Sequence, residues 1–352
     1  MMNYNLKQSW EKPSKPKPIV IIGAGGIVND AHLPAYKKAN FKVIGIYDID
    51  KKQSDKISKI WDIKSFDSID EIVQYKNEVV YDLAVPPSAI VSILKQLPDN
   101  AGVLIQKPMG ENYKQALEIQ KICKEKNLIS AINFQLRFSP QMLALKDAID
   151  KDILGELLEI DIKVNINTPW HLFPFLKQLS RVEIAVHSIH YLDLIRSIAK
   201  NPKYVFAKTM GDPRVKDLAQ TRTSIMLDYQ SNLRTMLSIN HNHNFGNKFQ
   251  EAQFRFEGTK GAIVLKIGLL LNYPDGEEDE FWIATNDKEW EQVELKGKWF
   301  IDAFIGTMSN LQRYIAKEDD KLISSTDDAI YTMALVEACF EANKKTGVSL
   351  DF

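Results

Sequence analysis

Between Pro18 and Asn133 short β-branched runs alternate with stretches of helical period. The runs are Ile19–Ile22, Lys42–Asp48, Val79–Pro87, Gly102–Pro108 and Ile129–Phe134. Strands that are apolar on both faces and alternate with helices predict a parallel sheet covered on both sides, a doubly wound α/β domain. The pattern then changes. Leu158, Ile160, Ile162, Val164 and Ile166 alternate with polar residues, as do Leu233, Thr235, Leu237 and Ile239, and Ala252, Phe254 and Phe256. That period of two marks strands with one buried and one wet face, so an α+β second domain with an open, largely antiparallel sheet is expected. Helices near 183–199 and from about Thr326 to Asn343, the latter capped by Ser325 or Thr326, would cover it. Residues 1–18, with four lysines and three prolines, read as a solvated arm, with its docking on the fold left open. The expected domains are thus an arm over 1–18, a nucleotide-type domain over 19–135 and a second domain over 136–352.

The first strand runs into Gly23-Ala24-Gly25-Gly26-Ile27-Val28, which fits the dinucleotide fingerprint at its first two glycines and has Val28 at the third. Gly23 permits the tight turn, Gly25 and Gly26 let backbone amides approach a pyrophosphate, and Ile27 opens the helix. About 20 residues further on, in the range where such folds place a ribose-binding carboxylate, the next strand ends in Asp48. An acid there repels a 2′-phosphate, which favours NAD, while Lys51 and Lys52 keep NADP open. Two more strand ends lie on the carboxyl edge where ligands bind: Asp82-Leu83-Ala84-Val85-Pro86-Pro87 and Gln106-Lys107-Pro108. Pro86, Gln106 and Lys107 are therefore expected at the cofactor, with the Lys107 ammonium able to donate to a substrate oxygen and carry a proton.

Glu183, His187, His190 and Asp193 are spaced four, three and three apart, which places them on one stripe of an α-helix. An acid and two imidazoles on one stripe suit a polar cavity. His241 and His243, two apart at a strand end, point to the same side and are expected to reach it.

The segments GAGGIVNDAHLPAY, DLAVPP, QKP, NFQLRF and HSIHYLDLIR, with EGTKG at Glu257–Gly261, together resemble the Gfo/Idh/MocA family over nearly the whole chain from residue 18. The resemblance implies a Rossmann domain joined to an α+β domain that serves substrate binding and oligomer formation. It implies hydride transfer between NAD or NADP and a sugar, sugar derivative or cyclitol. Lys107 matches the lysine of the family's Glu-Lys-Pro motif, with Gln106 in place of the acid, and His190 matches its catalytic histidine. The carboxylate usual four residues earlier is Val186 here; Glu183 and His187 are expected to take over its role, leaving the division of labour between His187 and His190 open. Asn133 and Arg137 match a family segment at the domain junction, and Trp170 and His171 fall in a loop that contributes to the sugar pocket in relatives. Substrate contacts are thus expected from Lys107, Asn133, Arg137, Trp170, His171, His187, His190 and His241, and assembly as a homodimer or homotetramer through the second sheet.

Composition narrows the partners. With 45 basic and 46 acidic residues in 352, no global field favours a polyanion, so a small neutral molecule is expected and nucleic acid is not. No apolar run is long enough to span a bilayer, and no membrane partner is expected. Cys123 and Cys339 have no metal or disulfide spacing, which suits a reducing, cytoplasmic setting. Three further readings stay open: an NAD-assisted glycoside hydrolase or lyase, a metalloenzyme built on the histidines, and a non-catalytic sugar or cofactor sensor.

Overall fold

The computed structural model describes residues 4–347 apart from Pro274 and Asp287. Residues 1–3 of the expected arm and 348–352 of the expected second domain lie outside the described residues. The chain forms two compact units. The first comprises Ser9–Pro140 and Gly297–Met333; the second comprises Gln141–Lys296 with the described parts of Met1–Gln8 and Ala334–Phe352.

In the first unit β1 (Ile19–Ile22), β2 (Val43–Tyr47), β3 (Lys64–Ser65), β4 (Val80–Leu83), β5 (Gly102–Ile105) and β6 (Ile129–Ile132) form one sheet in the order 3-2-1-4-5-6. Every pair is parallel. This is the Rossmann strand order, and its reversal beside β1 makes the ligand crevice at the strands' carboxyl ends. Every residue of β1, β4 and β5 is buried, as their unbroken apolar runs require. The two-residue β3 is too short to leave a pattern in the sequence. Among the crossover helices are α1 (Leu33–Ala39), α2 (Lys51–Trp61), α3 (Ile69–Val73), α4 (Ile90–Gln96) and α5 (Tyr113–Glu125). The side chains of Asp50 and Asn112 accept from backbone N–H groups in the first turns of α2 and α5, supplying acceptors for otherwise unpaired helix donors.

The second unit contains α6 (Pro140–Asp150), β7 (Leu157–Asn165), α7 (Ile189–Ala199), β8 (Tyr204–Met210), β9 (Arg222–Asp228), β10 (Arg234–Asn240), β11 (Glu251–Gly258), β12 (Gly261–Lys266), β13 (Glu280–Thr285) and β14 (Lys288–Gln292). The strands make one sheet in the order 14-13-12-11-7-10-9-8. All pairings are antiparallel except β7 with β10. The alternation seen in sequence sets its inner face: Ile160, Ile162, Val164, Leu237, Ile239, Phe254 and Phe256 are all buried.

Two expectations change. Residues 297–333 do not continue the second domain. There α8 (Trp299–Ile315) sets Phe304, Met308 and Leu311 into the core of the first unit with Ile19, Ile21 and Tyr36. Each such burial contributes roughly 1.5–3 kcal/mol, which holds the segment there. Beyond α8, Ala131 bridges to Ser325, and α9 (Thr326–Lys344) begins with Ser325 Oγ accepting from the Asp328 N–H. Nor is the arm merely solvated. Pro13 is buried, the Trp10 indole donates to Asp319 at 2.8 Å, and its ring meets Phe138 edge-on at 5.3 Å. Among the described residues no helix is long and apolar enough to cross a membrane.

Candidate functional site

Gly23 leaves β1 with φ +106°, and a Cβ on it would lie 2.2 Å from the Ala84 carbonyl oxygen. Only glycine allows this close approach of the β1 and β4 exits. Gly25 differs: a Cβ there would meet nothing within 4 Å, and one on Gly26 only Asp30 Oδ2 at 3.9 Å. The loop therefore keeps an open cradle in front of the helix that begins at Gly26 and Ile27. Asp48 borders it, accepting from the Ala24 N–H at 2.7 Å and the Asp50 N–H at 2.9 Å. An ionised carboxylate has about four acceptor sites, so capacity remains for ribose hydroxyls. The cradle and its acid fit a dinucleotide.

At the neighbouring strand ends Pro86 precedes a short turn over Pro87–Ala89. The Gln106 N–H donates to the Leu83 carbonyl at 2.9 Å, and Gln106 Oε1 accepts from the Lys107 N–H at 3.0 Å. Gln106 thus shapes the backbone under Lys107 and supplies no charge. Lys107 is partly buried, and desolvation lowers its ammonium to about 8.

Behind this edge lies a polar cluster that sequence reasoning missed. His32 Nδ1 is 2.7 Å from Asp82 Oδ2, and Tyr36 Oη donates to the same oxygen at 2.7 Å. Asn133 Nδ2 reaches His32 Nε2 at 3.5 Å. The pattern carried one signal, an acid inside the otherwise apolar run around β4, which implies a buried partner. Two residues expected to contact substrate also have partners within the fold. Asn133 is only 1% exposed and its amide faces His32. Arg137 is buried, and it donates to Asp328 Oδ2 at 2.7 Å and to the Ile323 carbonyl at 3.0 Å. Its guanidinium holds the start of α9 in the first unit.

In the second unit the expected α-helical stripe is also corrected. Glu183–Ser188 is a π-helical turn that runs into α7. The wider turn brings the fifth residue on over the first, and Ser188 Oγ donates to Glu183 Oε1 at 2.7 Å. Glu183 is fully buried, and the same oxygen lies 3.6 Å from His241 Nε2. The His241 ring stacks at 4.3 Å on that of His187, and its Nδ1 is 2.9 Å from Thr168 Oγ1. Trp170 packs 5.9 Å from each of these imidazoles. The structure thus brings together Glu183, His187, His241 and Trp170, and sets His190, buried, in the first turn of α7. His243 turns elsewhere, with Nδ1 3.2 Å from Asn165 Nδ2 and its ring 6.2 Å from Phe245. Trp170 and the exposed His171 also line a cavity of about 400 Å³ with Asn167, Thr168, Asn247, Gln250 and Asn272. Among the described residues no group of three or more His, Cys, Asp or Glu is arranged to hold a metal ion.

Comparison with known proteins agrees with this architecture. Residues 17–134 match the family described as "Oxidoreductase family, NAD-binding Rossmann fold", and residues 142–264 match the "GFO/IDH/MocA C-terminal domain". Glucose-6-phosphate 3-dehydrogenase of Bacillus subtilis is 28% identical over 154 residues, a stretch covering 43% of each chain. An Agrobacterium radiobacter oxidoreductase solved with NAD+, L-tartaric acid and magnesium superposes with a TM-score of 0.79 at 17% identity, over 94% of this chain and 97% of that one. UDP-N-acetylglucosamine 3-dehydrogenase of Acidithiobacillus ferrooxidans does so with a TM-score of 0.73 at 16% identity, over 93% and 98%. With both domains matched in order, a glycine turn where β1 exits beside the switch point and a mostly antiparallel second sheet, the chain belongs to the Gfo/Idh/MocA family of oxidoreductases and carries its NAD-binding Rossmann domain.

Proposed function

We propose that this protein moves hydride between NAD and a hydroxyl-bearing carbon of a sugar, sugar derivative or cyclitol. The observation that carries the reading is the pairing of chemistries within one chain. A dinucleotide cradle is bordered by an acid in the first unit, and an imidazole cluster adjoins an amide-lined cavity in the second. When bound, the nicotinamide would supply the hydride acceptor or donor. Lys107, with its lowered ammonium, and His190 or His187 are the groups assigned to take or return the hydroxyl proton. Glu183 and Thr168 bracket His241, which in turn stacks on His187, so their part is to hold the imidazoles in place. Trp170, packed against His187 and His241, covers an apolar face of the reacting sugar beside the imidazoles, and His171 on the same turn borders the substrate's hydroxyls.

The assembly proposed is a homodimer or homotetramer through the second sheet, whose β8 exposes Tyr204, Phe206 and Met210. Light scattering on the purified chain tests it, and a monomer at micromolar concentration would end it. Cys123 and Cys339 are buried free thiols, which supports a reducing, cytoplasmic setting.

The deciding experiment is a panel of monosaccharides, anhydrosugars, cyclitols and glycosides, each with NAD and with NADP, followed by absorbance of the reduced cofactor. Reduction of NAD by at least one member supports the reading. Product formation without accumulating NADH points instead to a transient oxidation inside a hydrolase or lyase. No reaction across the panel in either direction removes the dehydrogenase assignment.

A further inference from the structure

The cavity beside Trp170 contains no Lys, Arg, Asp or Glu among its lining residues. Three of its lining residues carry carboxamides joined to one another: Gln250 Nε2 donates to Asn247 Oδ1 at 3.0 Å, and Asn247 Nδ2 donates to Asn272 Oδ1 at 3.2 Å. Gln250 Oε1 is buried and has no hydrogen-bond partner among the described residues. A carboxamide offers a donor and an acceptor side by side, and so does a hydroxyl; a phosphate or carboxylate offers acceptors and a charge that needs a cation. Two cations on neighbouring loops are already paired, and the Lys248 ammonium on the turn that carries Asn247 lies 5.3 Å from the Phe249 ring centroid. Arg214 donates to both oxygens of Asp212, at 2.9 and 2.6 Å, and Lys177 pairs with Asp217 at 2.6 Å. Two aromatic walls complete the cavity, Trp170 and Tyr273, and the Trp170 indole is fixed by donating to Asn242 Oδ1 at 2.7 Å. The same indole packs against His187 and His241, so the cavity adjoins the imidazole cluster without including it.

We propose that this cavity is a subsite for a neutral saccharide unit beyond the reacting ring, so that the preferred substrate is an uncharged glycoside or oligosaccharide rather than a phosphorylated or acidic sugar. The inference rests on the sugar reading above and names its substrate class. At about 400 Å³ the space lies within the range of roughly 300–1,000 Å³ typical of small-molecule sites, and aromatic walls with a few placed polar groups are their usual lining. A charged ester entering it would lose water and meet no Lys or Arg among the lining residues.

The test is calorimetric titration of the full chain, with NAD present, by cellobiose, maltose, lactose, methyl and phenyl glucosides, glucose and glucose 6-phosphate. At least one extended neutral ligand is expected to bind about tenfold or more tighter than glucose, and glucose 6-phosphate no tighter than glucose. An Asn247→Ala/Gln250→Ala double variant should lose that advantage while its melting temperature stays near wild type. If the double variant does not fold, Asn247→Asp, nearly isosteric but charged, reads the same loss. Tightest binding by the phosphate ester, no advantage for any extended ligand, or an advantage that survives in the folded variants would overturn the proposal. The two readings fail separately. Saccharide binding lost in the variants, with no NADH formed from any sugar, retains the subsite and removes the dehydrogenase; NADH formed from sugars without preference for extension does the reverse.

Discussion

His32 Nδ1 and Asp82 Oδ2 stand 2.7 Å apart with neither side chain exposed to solvent. The carboxylate oxygen also accepts from Tyr36, whose phenol is pushed well above its ordinary value by burial and then by the Asp82 charge, so it remains a donor. Removing the shared acceptor strands two buried donors beneath the ligand edge. Asp82→Ala should cost about 3–5 kcal/mol, seen as a fall of about 10 °C in the first unit's melting transition. Tyr36→Phe removes one donor and should cost nearer 1 kcal/mol. Equal melting of wild type and Asp82→Ala would show that the cluster does not hold the edge.

The glycines of the cradle separate folding from binding. At Gly23 a side chain meets both a positive φ and the Ala84 carbonyl, so Gly23→Ala should destabilise by at least about 2 kcal/mol. At Gly25 a methyl meets no protein atom within 4 Å. Gly25→Ala should therefore melt within about 0.5 kcal/mol of wild type, yet weaken NAD about tenfold or more by filling the cradle. Thermal melting and NAD titration on the two variants read the difference, and unimpaired NAD binding by Gly25→Ala would move the pyrophosphate elsewhere.

What the sequence showed and what it hid follow from the range of each interaction. The buried strands of the first sheet and the alternating strands of the second were legible because hydrophobic period is local. That residue 48 would border the glycine turn was legible because a strand end fixes it about 20 residues after the glycines. The return of 297–333 to the first unit was not. Phe304, Met308 and Leu311 give α8 an apolar stripe, but a stripe does not name the core that receives it. The stripe from Glu183 to Asp193 misled for a subtler reason: one π turn at Glu183–Ser188 inserts a residue and shifts the face, and residue types do not announce it. His241, nearly sixty residues from Glu183 in sequence, was legible as a neighbour from its place at a strand end, and the end of β10 brings it to 3.6 Å from that carboxylate. Arg137 and Asn133 carried the chemistry of ligand contacts, and residue types alone did not announce the contacts they make within the fold, to Asp328 and His32.

The role proposed for Asp48, choosing between the two cofactors, is open to direct test. Its two oxygens are fixed by the Ala24 and Asp50 amides, so the charge cannot swing away from a 2′-phosphate. Like-charge juxtaposition in such a site costs several kcal/mol. The chain should bind NAD about a hundredfold or more tighter than NADP, and Asp48→Ser should narrow that ratio to about tenfold or less by weakening NAD and admitting NADP. Titration with each cofactor decides it; an unchanged ratio in the variant would transfer discrimination to another residue.

Burial of Lys107 links stability to pH, and its proposed role links rate to pH as well. Burial lowers its ammonium from 10.5 to about 8, so at neutral pH the folded chain carries a charge that desolvation disfavours. That cost is full below about 8 and fades as pH rises toward the ordinary lysine value, because the folded amine has then lost its proton while the unfolded one still holds it. Lys107→Met should therefore be more stable than wild type at pH 7, by up to about 3 kcal/mol, with the gap closing toward pH 10. Its turnover should move the other way. Oxidation needs a proton acceptor, which Lys107 becomes only as the neutral amine, so kcat/KM for alcohol oxidation should climb through about pH 8 in the wild type. In Lys107→Ala it should fall by about 10²–10⁴ and lose that inflection. A pH–rate profile of the two proteins checks the assignment: an inflection near 8 that persists in the variant would give the proton to one of the imidazoles instead.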